Sequence, residues 1–175
     1  MILYLMRHAN AGTFRGNPQL DAKRGLVKEG KEQCMLMARA LSALGAQVDL
    51  IVSSPLKRAL QTAQFVGTEL GYDAKVEISE ALGPNAKFAD FQAMLAKYAA
   101  HDGILAVGHN PNAFQFLGRL ISGNGPVSVR MRKGSIARVD LDHHPARLQW
   151  LIDPRMARSF YPSMQKSSRP KASRK

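Results

Sequence analysis

The stretch Ile2-Leu3-Tyr4-Leu5-Met6-Arg7-His8 decides how the rest of the chain is read. Its apolar run is too short for a helix and shows no alternation, which describes a strand buried on both faces. Arg7-His8 then ends the run with a charged and a titratable group. A strand covered on both faces belongs to an α/β sheet, where ligands bind outside the carboxyl ends of the strands. Fold class and candidate site therefore follow from the same few residues.

Working outward, residues 10–28 read as a polar, glycine-containing loop. Cys34, Met37, Leu41 and Leu44 recur at helical spacing, which predicts a helix over about 29–44 with Gly45 as its stop. Cys34 lies on this stripe and reads as a small core residue. A second buried strand over 49–53 leads into Ser54-Pro55, the pattern of an N-cap followed by proline at the first helical position. That helix should run to about Leu70. A third strand is expected over 75–78, a helix over 88–98 and a fourth strand over 104–107. Asn110-Pro111 repeats the cap-and-proline pattern ahead of a helix to about Ile121. Strands over 135–141 and 147–152 flank the turn-like Asp142-His143-His144-Pro145 and predict a hairpin. The expected fold is a three-layer α/β/α sandwich whose mostly parallel sheet carries an antiparallel element. No repeat or linker divides it, so residues 1–160 read as one domain and 161–175 as a basic C-terminal tail.

With 175 residues, 45% of them hydrophobic, the chain suits one domain and is not a disordered polymer. No apolar run approaches the ~20 residues that a membrane helix needs. The N-terminal run lacks the basic start and cleavage site of a signal peptide, so a cytoplasmic protein is expected. One cysteine excludes an internal disulfide and fits a reducing compartment. Of the net charge of +12, seven charges come from the Lys and Arg of residues 155–175, which hold no Asp or Glu. That segment reads as a solvated basic extension, or as a contact for nucleic acid, an acidic membrane surface or an acidic partner.

Three of the expected strands end in polar residues suited to one task. They are Arg7-His8-Ala9-Asn10, Ser53-Ser54-Pro55-Leu56-Lys57-Arg58 and Gly108-His109-Asn110-Pro111. Arg58, in the first turn of its helix, reaches back to the same edge. Two arginines, two histidines and helix N-termini would hold a dianionic phosphoryl group. A neutral His8 nitrogen can attack phosphorus while Arg7 and Arg58 bind the equatorial oxygens; His109, if protonated, adds a donor. No metal or other cofactor is required. Each residue also has a plain structural reading, and the coincidence of the three strand ends carries the case. His143-His144 lacks a third histidine at metal-motif spacing and reads as part of a turn.

These segments, with Arg24-Gly25-Leu26-Val27-Lys28-Glu29-Gly30 and the run Val52 to Ala63, resemble the histidine phosphatase superfamily, whose fold is phosphoglycerate mutase-like. Within it, the chain resembles the small SixA-type phosphohistidine phosphatases. The resemblance covers about residues 1–153 and implies His8 as nucleophile, with Arg7, Arg58 and His109 completing the phosphate pocket. It adds Arg24 as a phosphate or substrate contact, with Asn10 beside it as a further substrate-binding candidate. Two departures stand out. Ala9 replaces the family's signature glycine, which matters only if that backbone needs a positive φ. Glu80 is the positional candidate for a general acid, without the flanking pattern of larger members, and it reads equally as a surface carboxylate. A poor acid suits a substrate with a good leaving group, such as phosphohistidine, and a site without a capping domain would admit a phosphorylated protein. The expected partner is thus a histidine-phosphorylated protein or a small phosphorylated substrate. The alternatives are a phosphate-ester phosphatase using Glu80, or a phosphate- or nucleic-acid-binding module without turnover.

Overall fold

A computed structural model describes residues 1–14, 16–123 and 127–161. The expected basic tail, apart from Tyr161, lies outside the described residues. Six strands form one sheet in the order β3-β2-β4-β1-β5-β6. They are β1 (Ile2–Arg7), β2 (Leu50–Ser53), β3 (Glu77–Ile78), β4 (Gly103–Gly108), β5 (Ile136–Asp140) and β6 (Arg147–Ile152). The β1–β4, β2–β4 and β2–β3 pairs are parallel, while β5 runs antiparallel to both β1 and β6. This is the mixed sheet and terminal hairpin expected from the sequence.

Side chains that alternate along the central strands divide the core in two. Tyr4 and Met6 pack on one face with Cys34, Met37 and Leu41 of α2 (Lys28–Ala43) and Ala59, Ala63 and Val66 of α3 (Lys57–Leu70). Leu3 and Leu5 pack on the other with Phe91 and Leu95 of α4 (Phe88–Lys97) and Phe116 and Leu117 of α5 (Asn112–Ser122). The α/β/α sandwich results from both faces being apolar. Cys34 is fully buried, and burial pushes its thiol up to about 12, so it is a packing residue. Among the described residues no helix is long and apolar enough to cross a membrane.

Several local expectations are corrected. Residues 10–28 contain a short helix, α1 (Pro18–Ala22), capped by Asn17, whose Oδ1 accepts from Gln19 N at 2.9 Å and Leu20 N at 3.3 Å. A second unforeseen helix, α6 (Pro154–Phe160), is capped in the same way by Asp153. Ser54 does not cap α3, which starts after Leu56 with no side-chain cap. Asn110 does not cap α5 either: the Asn110–Pro111 bond is cis, the helix begins at Asn112, and Asn110 Nδ2 donates to Met131 O at 3.0 Å. A 3-10 turn over Glu80–Leu82 follows β3.

Gly30 marks where α2 meets the loop leaving β1. A Cβ there would overlap the carbonyl of Asn10, which accepts from Val27 N at 3.1 Å. Neither backbone can withdraw without breaking this contact. The substitution Gly30→Ala should therefore destabilise the protein by about 1–3 kcal/mol, the usual cost of overpacking, and displace the segment after His8. Denaturant unfolding alongside a turnover assay would check it; unchanged stability would mean that the approach is not tight.

Candidate active site

The site begins with strand pairing. Arg7 is opposite Gly108 in the parallel β1–β4 register, and His8 N donates to Gly108 O at 2.9 Å. The residues that follow each strand are thereby neighbours, and the His8 and His109 ring centroids are 5.0 Å apart. Ala9 is fully buried, and its N donates to Thr62 Oγ1 of α3 at 3.1 Å. No described non-glycine residue has a positive φ, so Ala9 fills the signature glycine position without strain.

His8 is buried, with Nδ1 2.7 Å from Ala9 O. A carbonyl only accepts, so Nδ1 carries the proton and Nε2 keeps its lone pair. The pKa of His8 is pushed down to about 3, first by burial, then by His109, Arg58 and Arg7, against the opposing Ala9 hydrogen bond. His109 is likewise held at about 3 by burial and by Arg58, Arg7 and Arg24, with Asp21 opposing. Both rings are neutral near pH 7 in the free protein. Of the two protonation states the sequence leaves open for His109, the neutral one therefore holds in the free protein. Its Nε2 lies 2.8 Å from Ser54 Oγ, and its Nδ1 is buried with no hydrogen-bond partner among the described residues.

The positive charge comes from longer side chains. Arg58 is buried and pairs with Asp21 Oδ2 of α1 at 3.1 Å, while its Nη1 donates to Asp21 O at 2.9 Å. Arg24 grips the same carboxylate, with Nε donating to Asp21 Oδ1 at 2.9 Å, and its Nη1 donates to the carbonyls of Ala11 and Gly12. Arg7 Nη1 donates to Met131 O at 3.0 Å. Lys133 Nζ donates to Asn10 Oδ1 at 3.0 Å. Burial lowers the pKa of Arg7, Arg58 and Lys133, though the guanidinium groups stay protonated. Arg7 Nε and Arg58 Nε are buried and make no hydrogen bond among the described residues.

Together these groups wall a cleft of about 390 Å³ that also exposes Phe14 and Pro84. Of the residues singled out in the sequence, Arg7, His8, Arg24, Arg58 and His109 line it. Asn10 does not. Its side chain accepts from Gly12 N and Lys133 and donates to Glu29 Oε2 at 2.7 Å, which makes it a brace of the loop facing a neighbouring hollow. Glu80 is exposed and lies outside the cleft lining. Sequence reading missed Asp21 and Lys133. Asn17-Pro18 could have revealed α1, and hence a fixed Asp21; nothing flagged Lys133.

The cations and imidazoles that the fold gathers at this edge have the chemistry to receive a tetrahedral oxyanion, a feature of α/β phosphoryl-handling proteins. Comparison narrows the class. Residues 3–86 match the histidine phosphatase superfamily (branch 1). An uncharacterized protein of Picosynechococcus is 31% identical over 152 residues, 85% of this chain and 89% of that one. Phosphohistidine phosphatase SixA of Escherichia coli K12 is 26% identical over 158 residues, 88% of this chain and 94% of its own. The structure of the protein histidine phosphatase SixA complexed with tungstate superposes with a TM-score of 0.78 at 25% identity, covering 88% of this chain and 97% of that one. The chain belongs to the histidine phosphatase superfamily, and its chemistry is that of a phosphatase.

The two neutral histidines have a measurable consequence. Both would take up a proton in the unfolded chain near pH 6.5 but resist it when folded down to about 3. Between those values the unfolded state binds more protons, so stability should fall as pH drops from about 6.5 toward 3 and their contribution should be flat above. In NMR titrations of the free protein the His8 and His109 ring signals should stay those of neutral imidazole from pH 8 to 5. A midpoint near the ordinary histidine value in either ring would contradict the assignment.

Proposed function

We propose that the protein is a metal-independent phosphatase that forms a phosphohistidine intermediate on His8 and dephosphorylates phosphohistidine on proteins. One observation carries the reading. His8 is buried and neutral, and its Nδ1–H is committed to Ala9 O, so the Nε2 lone pair is free. Burial would ordinarily weaken nothing but the charged form, so desolvation here preserves the nucleophile.

In the first step Nε2 of His8 attacks phosphorus and forms an N–P bond. The P–N bond to the substrate histidine breaks, and the departing imidazole takes its proton from water in the open cleft. Water then attacks the phosphorylated His8, the second N–P bond breaks, and inorganic phosphate leaves with His8 neutral again. Arg7 and Arg58 spread the negative charge of the equatorial oxygens through guanidinium N–H groups. With the Ser54 hydroxyl donating to His109 Nε2, the His109 proton stands on Nδ1 and can donate to the same oxyanion. Arg24 adds charge at the rim and, through Asp21, fixes Arg58. The tungstate bound to the similar SixA is a tetrahedral dianion of the kind this cleft would hold.

Two features favour phosphohistidine over an alkyl ester. Among the described residues the cleft lining contains no carboxylate, so an alkoxide, a poorer leaving group than imidazole, would have only water to protonate it. Phe14, 55% exposed at the cleft wall, offers a ring against which a departing imidazole can stack.

Turnover of phosphoramidate and of a phosphohistidine peptide should fall on the order of a thousandfold or more in His8→Ala, and rapid quench of the wild type should trap phosphate on His8. Alkyl phosphates should be poor substrates, and Glu80→Gln should leave every rate unchanged. Undiminished hydrolysis in His8→Ala would sink the mechanism; loss of ester hydrolysis in Glu80→Gln would favour the ester reading.

A further inference from the structure

Beside the cleft lies a larger hollow of about 900 Å³ that the chemistry above does not use. The two share Arg7, Asn110 and Lys133 as a common wall. Beyond that wall the hollow is strongly basic. Arg130 and Arg132 contribute from the segment before β5, and Arg155 and Arg158 from α6. Glu29 is its one acidic lining residue, and it is engaged by Asn10 Nδ2 at 2.7 Å and Gln33 Nε2 at 3.2 Å. Arg132 pairs with Asp153 at 3.3 Å. Arg130, Arg155 and Arg158 are exposed, and no carboxylate among the described residues pairs with them. The chain after α6 continues with Lys166, Arg169, Lys171, Arg174 and Lys175 and no acidic residue.

Unpaired like charges on one wall repel each other, so the arrangement costs stability unless a partner uses it. The shared wall says which partner. Anything whose phosphoryl group reaches His8 and whose body extends sideways past Arg7 and Lys133 must lie in this hollow. A small ester would end within the cleft, whereas a phosphorylated protein would not. Guanidinium groups match carboxylates in a two-pronged geometry, which suits Asp and Glu side chains. A nucleic acid would also answer the charge, but Phe114 is the one aromatic ring lining the hollow, and single strands are held by stacking on several.

We propose that this basic hollow docks an acidic segment of the phosphoprotein whose phosphohistidine occupies the cleft. The inference rests on the phosphohistidine reading, so its test separates the two. Binding is measured on the full chain by fluorescence anisotropy, with a labelled glutamate-rich peptide that carries no phosphate and with its glutamine counterpart. The glutamate peptide should bind and the glutamine peptide should not. The double variant Arg155→Glu/Arg158→Glu should weaken the glutamate peptide about tenfold, and Arg130→Glu should act in the same direction, as expected when cations at a docking surface are reversed. Turnover of p-nitrophenyl phosphate should stay within about twofold in both variants, which also shows that they fold. On phosphohistidine peptides, glutamate flanks should lower KM and leave kcat alone.

Equal binding of the two peptides, or undiminished binding by both variants, would overturn the proposal. So would displacement of the glutamate peptide by a much lower concentration of single-stranded oligonucleotide, which would assign the surface to nucleic acid. A wild type that binds the glutamate peptide but leaves phosphohistidine untouched would keep the docking surface and discard the substrate.

Discussion

Parallel pairing of β1 with β4 is the constraint on which the site depends. It sets Arg7 opposite Gly108 and brings His8 and His109 to the same edge with their rings 5.0 Å apart. A slip of one residue would turn the apolar side chains of β1 from one face of the sheet to the other and carry His8 away from its partner. The apolar alternation of Leu3, Tyr4, Leu5 and Met6 between two separate cores forbids that slip. The same two strands lead onward in opposite directions. From β1 the chain passes to α2 on one face, and from β4 to α5 on the other. A crevice opens where neighbouring connections part, and the cleft lies there.

Much of this was legible in the sequence because apolar patterning is local and strong. All six strands and the four longer helices fall where apolar runs and helical spacing put them. The catalytic candidates were legible for a related reason: three buried strands end in polar residues of matching chemistry, a coincidence that local patterning exposes. Cap chemistry misled. The cap-and-proline rule was read at Ser54-Pro55 and Asn110-Pro111, where the chain makes turns instead, and was passed over at Asn17-Pro18 and Asp153-Pro154, where it holds. Ser54 and Asn110 have other partners, His109 Nε2 and Met131 O, which only tertiary structure supplies. The roles of Asp21 and Lys133 were hidden for the same reason, although the unread Asn17-Pro18 cap marks the helix that carries Asp21. Each is one charge in a polar stretch until the fold brings Arg58 and Arg24 to the first and Asn10 to the second.

Collecting Arg7, Arg24, Arg58 and Lys133 around one cleft should be unfavourable, and the way it is tolerated bears on function. Each cation donates to a main-chain carbonyl: Arg7 to Met131, Arg24 to Ala11 and Gly12, Arg58 to Asp21, and Lys133 to Gly12. A carbonyl dipole orients a cation and satisfies one of its donors without cancelling its charge, which a carboxylate would do. Among the described residues the single carboxylate paired with these cations, Asp21, is shared by two arginines and so neutralises only part of either. The histidines stay neutral beside them, because a cationic ring would meet both burial and the arginines. The positive potential of the cleft therefore resides on guanidinium and ammonium groups, while the lone pair of His8, the nucleophile in the mechanism we propose, resides on a ring that stays unprotonated near neutral pH. Separating those two duties would let one site attract a phosphoryl dianion and attack it.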